Sequence, residues 1–204
     1  MSSTAPNSPG RADLPVSARP TGPTFFARWR VRLGYPLAIV VLVLAHPDSR
    51  SIVVGGVVGA VGLLIRALAA GHLHKQDMLT VSGPYAHTRN PLYFGSAILT
   101  LGAAVAMNSW IAAALLCGYF ALFYSVVMRR EEGELRFHHG AAFEEYARAV
   151  PLFFPRLMAA KLGPGAAASF SFAQYKKNRE YRAAIGFVLL LVLLVIDWRL
   201  RLIY

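Results

Sequence analysis

Residues 91–107 read PLYFGSAILTLGAAVAM, residue 108 is Asn, and residues 109–128 read SWIAAALLCGYFALFYSVVM. Neither run contains Asp, Glu, Lys or Arg. Each approaches the roughly 20 apolar residues needed to cross a bilayer as a helix. A single polar residue between them leaves room only for a tight antiparallel hairpin about Asn108. Working outward, further apolar runs appear at 31–45, 51–70 and 183–196. The chain therefore reads as an all-α, polytopic integral membrane protein with about five transmembrane helices. The second run carries Gly55, Gly56, Gly59 and Gly62, small residues that let helix backbones approach closely.

Composition agrees. Of 204 residues, 56% are hydrophobic and only 15% charged, where a soluble domain carries about 25% charged residues. A water-soluble globular enzyme and a disordered chain are both excluded. Residues 1–24, with prolines at 6, 9, 15, 20 and 23, are the exception and are expected to be disordered. Residues 25–204 form one membrane-embedded domain. The lone Cys117 has no partner for a disulfide or a cysteine-based zinc site. The formal net charge of +11 is read as cytoplasmic flanking charge rather than a nucleic-acid surface. With the N-terminus inside, seventeen basic residues fall on the cytoplasmic side and three outside (Arg50, Arg199, Arg201), with Arg66 inside a span. That asymmetry orients the N-terminus to the cytoplasm and the C-terminus outward.

Two long polar segments, 71–90 and 129–182, then share the inner face. Counting back from Asn108 to Asn90 gives roughly 27 Å of helix, and forward to Glu131 roughly 34 Å. Arg89-Asn90-Pro91 and Arg129-Arg130-Glu131-Glu132 should therefore meet at similar depth. Asn90 before Pro91 reads as an N-cap with proline at the first helical position. Arg89 adds a cation shaped for a carboxylate or phosphate, and the Gly83-Pro84 turn aims Tyr85 at the same place. Glu131 and Glu132, about 100° apart on a helix, should not both face the bundle. The alternative use of these residues is lipid phosphate for Arg89, an interfacial aromatic belt for Tyr85 and Tyr93, and solvated ion pairs for the two acids. The stretch from Tyr175 to Tyr181 reads as a charged interfacial collar or a substrate-side element, with the collar preferred. The pairs His72/His74 and His138/His139 lack acidic or cysteine companions at ligand spacing, so no metal is expected.

Gly83-Pro84-Tyr85, then Arg89-Asn90-Pro91-Leu92-Tyr93 and Gly95, resemble one signature block of the isoprenylcysteine carboxyl methyltransferases and the related phospholipid N-methyltransferases. Glu131-Glu132, Leu135, Gly140, Tyr146 and Val150-Pro151 through Pro155 are similar to the second block. The resemblance covers residues 62–156 and leaves 157–204 as a C-terminal extension. It implies a bacterial-type enzyme of the inner (cytoplasmic) membrane that uses S-adenosyl-L-methionine at the cytoplasmic face. Cytoplasmic amphipathic helices would form its cofactor site. The acceptor it implies is a lipophilic small molecule or prenylated substrate entering from the bilayer, among membrane lipid and with no role for nucleic acid. It implies Tyr85, Arg89, Asn90, Leu92 and Tyr93 on one wall of the cofactor site, with Glu131 or Glu132 holding the cofactor's ammonium. Arg89, Asn90 and Glu132 are the residues assigned to catalysis.

Three positions depart from the pattern. Asn90 replaces a histidine, His139 an aromatic residue and Phe143 a tyrosine. A carboxylate acceptor needs no base, which favours O-methylation over N-methylation of a headgroup. An NADPH-dependent membrane reductase and a non-enzymatic lipid-binding protein are the remaining alternatives. The Glu-Glu block at methyltransferase spacing argues against the reductase.

Overall fold

The computed structural model describes residues 25–73, 78–161 and 169–203. The tail expected to be disordered and His74 lie outside the described residues. Among the described residues, seven α-helices follow in order: α1 Phe25–Val43, α2 Ser49–His72, α3 Pro91–Met107, α4 Trp110–His139, α5 Ala141–Ala149, α6 Phe172–Lys177 and α7 Tyr181–Ile203. A 3-10 turn occupies Gly83–Ala86, and there is no strand among the described residues. The protein is all-helical, as its apolar runs require. Helices α2, α4 and α7 are long and apolar enough to cross a membrane, while Arg32–Val43 and Pro91–Met107 are shorter apolar helices. Large side chains such as Ile39, Val57, Ile111 and Val188 remain exposed along these helices. In water that would be a liability; in a bilayer those faces meet lipid tails.

Local chemistry sets the helix ends. Asp48 caps α2: its carboxylate accepts from the Ser51 N–H at 2.8 Å while the Ser51 hydroxyl accepts from the Asp48 N–H at 3.0 Å. This reciprocal capping box satisfies two otherwise orphaned donors. Asn108 closes α3 in the left-handed region (φ 48°), a conformation that asparagine tolerates. Its side-chain amide donates to the His46 carbonyl at 3.2 Å and to Asp48 at 3.1 Å, tying the two turns at this end together. The hairpin expected at Asn108 is thus present.

Helices α2 and α3 form the tightest seam. A Cβ on Gly55 would lie 2.5 Å from the Ala106 nitrogen, one on Gly62 2.6 Å from the Leu99 nitrogen, and one on Gly102 2.5 Å from the Gly59 nitrogen. Backbone meets backbone there, which only glycine permits. Gly56 is not part of this seam; it faces Leu191 of α7 at an ordinary 3.6 Å. Helix α4 runs 30 residues, about 45 Å, so its last turns extend beyond a hydrocarbon core of about 30 Å. Those turns carry Glu131 and Glu132 out to the polar segments.

Candidate functional site

The two polar segments meet as their distances from Asn108 require. Arg89 Nε lies 2.9 Å from Glu132 Oε1, with the two side chains only 14% and 16% exposed. The Tyr93 hydroxyl donates to Glu131 Oε1 at 2.6 Å. As the helical phase requires, only Glu132 turns inward while Glu131 stays exposed, yet both reach a residue of the first segment. Helical phase does separate them, but Arg89 precedes α3 and Tyr93 lies in its first turn. Their long side chains approach α4 from different positions and collect both carboxylates. Glu132 pairs across the two segments, with Arg89, and not with an arginine of its own helix turn. Arg130 pairs instead with Glu134 at 2.9 Å and Arg136 with Glu144 at 2.5 Å.

Arg89 is held from several sides. One guanidinium nitrogen donates to the Ala147 carbonyl at 3.2 Å, and its central carbon lies 6.0 Å from the centre of the Phe143 ring. Phe143 is fully buried, with Tyr146 and Val150 beside it, so the start of the second block forms a small core under the site. At position 143 a phenol's hydroxyl would need a partner inside that core.

Asn90 is correct in place but not in its bonding. It stands at the N-cap position, with Pro91 at the start of α3, yet its side chain makes no capping bond. Its amide nitrogen donates to the Leu152 carbonyl at 3.0 Å. The 151–160 strap competes for this side chain and wins, because it brings carbonyls alongside residues 86–90. The Arg89 N–H donates to the Pro151 carbonyl at 2.9 Å, the Arg156 N–H to the His87 carbonyl at 3.0 Å, and the Ala160 N–H to the Ala86 carbonyl at 2.9 Å. Thr88 completes the clip, its hydroxyl donating to the Phe153 carbonyl at 2.9 Å. Sequence reasoning passed over Thr88, since a lone buried threonine carries no spacing signal.

Tyr85 is 7% exposed. The Tyr146 hydroxyl donates to its backbone carbonyl at 2.8 Å, fixing the 3-10 turn on α5. Burial pushes the Tyr85 phenol far above its usual range, and the neighbouring Tyr146, Glu131, Glu180 and Tyr93 push the same way. Burial also raises Tyr146, against a lowering by Arg89 and with a further rise from Glu132. Both phenols are therefore neutral hydrogen-bonding groups at any physiological pH. Tyr93 begins an aromatic row down the membrane side: its ring meets Tyr124 edge-on at 5.4 Å, and Tyr124 stacks on Phe120 at 4.5 Å. Leu92 is half-buried beside them.

The segment Tyr175–Tyr181 is only partly a collar. Lys176, Lys177 and Tyr181 are exposed. Asn178, however, donates its amide to the Ala70 carbonyl at 2.8 Å at the end of α2, and Glu180 reaches Arg66 inside the bundle. Among the described residues, no group of three or more His, Cys, Asp or Glu is placed to hold a metal ion.

Arg89 just before α3 and Tyr93 in its first turn thus face two carboxylates in the C-terminal part of α4, and this part of the chain has known relatives. Residues 51–141 match the family model described as phospholipid methyltransferase. Over that segment, a little under half of the chain, the protein is similar to these enzymes, and more distantly to the isoprenylcysteine methyltransferases. Among individual relatives, it is 36% identical over 140 residues to the cobalt-zinc-cadmium resistance protein CzcN of Cupriavidus metallidurans, covering 63% of this chain and 62% of the relative. It is 30% identical over 138 residues to the nickel-cobalt-cadmium resistance protein NccN of Alcaligenes xylosoxydans, with 63% of each covered. The chain therefore spans a little under two thirds of the length of these two proteins. It is also 28% identical over 88 residues to the protein-S-isoprenylcysteine O-methyltransferase of Schizosaccharomyces pombe, covering 43% of this chain and 37% of that one. No solved structure matches the chain.

Proposed function

We propose that the protein transfers a methyl group from S-adenosyl-L-methionine to a lipophilic acceptor at the cytoplasmic face of the membrane, with its N-terminus in the cytoplasm. The observation that carries this reading is the convergence of Arg89 with Glu132 and of Tyr93 with Glu131, all inside the segment matched to the methyltransferase family. The donor set fits the cofactor's polar end. Two carboxylates suit an ammonium, and a fork-shaped guanidinium suits a carboxylate. Glu132 Oε1 and Arg89 Nε are buried and adjacent, yet too poorly aligned to satisfy each other as a hydrogen bond. Such a pair has capacity to engage a further charged group. The Tyr93, Tyr124 and Phe120 rings offer π faces to a cation.

S-adenosylmethionine, when bound, supplies an electrophilic methyl group on a sulfonium. The chain's own residues supply position and exclude water. Arg89, Glu131 and Glu132 orient the polar end, and Asn90 holds the strap that roofs the site. Of the two acceptor chemistries, a carboxylate is favoured. It is ionised at neutral pH and needs no base, whereas an amine must first lose a proton. The buried phenols of Tyr85 and Tyr146 hold their protons too tightly to serve, and both acids already face Arg89 and Tyr93. Methylation of a carboxylate would give an ester without any proton that the chain's own residues would have to move.

Purified protein incubated with native lipid extract and methyl-labelled S-adenosylmethionine tests this. A base-labile label in the lipid fraction is expected. A base-stable label would move the assignment to an amine, and absence of label from every lipid would remove the enzymatic reading. The similarity to two metal-resistance proteins supports a second reading of the biological role, in which the methylated product contributes to tolerance of nickel, cobalt, zinc or cadmium. Growth of a strain lacking the protein in each metal salt tests it.

A further inference from the structure

Arg66 is a charge placed in the apolar stretch of α2. Ionisable side chains in spanning helices are costly and call for a named partner. The partner is Glu180, on the turn leading into α7. Arg66 Nε donates to Glu180 Oε2 at 3.0 Å, and NH2 donates to Oε1 and Oε2 at 2.9 and 2.8 Å. The two side chains are 18% and 13% exposed. The remaining nitrogen turns to α3, where NH1 donates to the Leu92 carbonyl at 3.4 Å and to the Ser96 hydroxyl. Ser96 in turn donates to the Leu92 carbonyl at 2.8 Å. The arginine crosses α3 at a slot made by Gly95, where a Cβ would lie 2.7 Å from Arg66 Cγ.

The Leu92 carbonyl lies in the first turn of α3, between Asn90 and Tyr93. We propose that Glu180, acting through Arg66, is a positioning residue for the cofactor site: the ion pair fixes the first turn of α3, and with it Asn90 against Leu152 and Tyr93 against Glu131. This rests on the methyltransferase reading above and extends the site to a residue outside the matched segment 51–141. The bidentate contact makes α7 a fixed abutment, and Arg66 carries that rigidity across to α3. A 2.6 Å bond such as Tyr93–Glu131 does not survive a shift of an ångström. The Tyr85 phenol lies in the field of both Glu131 and Glu180, which places the ion pair within electrostatic reach of the site. Glu180 also lines a cavity of about 220 Å³ with Leu63, Leu64, Ala67, Tyr175 and Ala184.

The test uses the full chain in lipid nanodiscs, titrated calorimetrically with S-adenosylhomocysteine and melted in parallel by circular dichroism. Glu180→Gln and Arg66→Lys are expected to weaken binding roughly tenfold, about the worth of one lost hydrogen bond at the site. Glu180→Asp, which keeps the charge, recovers part of the loss. The paired variant Arg66→Met with Glu180→Met removes both charges while keeping apolar volume, so it restores the melt. Its affinity is expected to stay low, because nothing then clamps the Leu92 carbonyl. Wild-type affinity in the folded double variant, or in folded Arg66→Lys, overturns the proposal and leaves the pair a structural staple. If the wild-type chain itself binds no S-adenosylhomocysteine, the methyltransferase reading fails first, and that outcome is distinguishable from the others.

Discussion

Replacing Glu132 by Gln should cost more than replacing Glu131 by Gln, and the structure gives the size of the difference. The Arg89 guanidinium is 14% exposed, and Glu132 is its ion-pair partner at 2.9 Å. Removing one charge of a pair this buried leaves the other uncompensated, at a cost of about 3 kcal/mol, the lower end of the range for fully buried pairs. The Ala147 carbonyl and the Phe143 ring offset only part of that loss. Glu131 is exposed, and Gln in its place can still accept the bond from Tyr93, so Glu131→Gln should cost about 1 kcal/mol. Urea unfolding in detergent micelles, followed by circular dichroism, measures both. Arg89→Met combined with Glu132→Met should recover most of the stability lost by Glu132→Gln, because an apolar pair carries no unpaired charge. The same three proteins should all bind S-adenosylhomocysteine less tightly than wild type. Equal costs below about 0.5 kcal/mol for the two single variants, the level of a solvated surface pair, would refute the buried-pair reasoning.

Three further outcomes follow from the same geometry. Asn90→Ala should cost about 1 kcal/mol in the same unfolding assay, the worth of one hydrogen bond, because the Leu152 carbonyl keeps the Thr88 hydroxyl at 3.3 Å; Asn90→Asp should cost more, by setting a carboxylate against that carbonyl. Cysteines placed at Ser82 and Ser169 should react with a membrane-impermeant thiol reagent only from the cytoplasmic side, and one at Ser49 only from outside; labelling of Ser49 and Ser82 from one side would sink the orientation. Stability should fall as pH rises above about 10, since the unfolded chain releases the Tyr85 and Tyr146 protons at their ordinary value while the folded chain retains them. Tyr85→Phe should reduce that slope by about 1.4 kcal/mol per pH unit in a melt series.

The sequence made the bundle and the meeting place of the site legible, because both rest on counting. Two apolar runs about Asn108 specify a hairpin, and comparable helical distances bring Arg89 and Glu132 to a similar level. Side-chain direction was less legible. Asn90 has the residue type of a cap, but a carbonyl from the 151–160 strap, sixty residues away in sequence, takes its amide. Helical phase separates the exposed Glu131 from the inward Glu132, but it says nothing of the phenol and the guanidinium that reach each of them from the other segment. Arg66 carried a signal, as a charge inside a span. Its partner Glu180 lies 114 residues further on, and no periodicity connects them. It sits in a basic stretch that reads as a membrane collar, and only the packing of α7 on α2 and α3 reveals its direction.

Calorimetric titration of the wild-type protein in nanodiscs with S-adenosylhomocysteine, and separately with NADPH, tests the assignment of residues 85–93 and 131–132 as a methyl-donor site most directly. Saturable binding of S-adenosylhomocysteine that weakens in Glu132→Gln, with no heat from NADPH, is the predicted result. Binding of NADPH alone, or of neither compound by a protein that melts cooperatively, would contradict it.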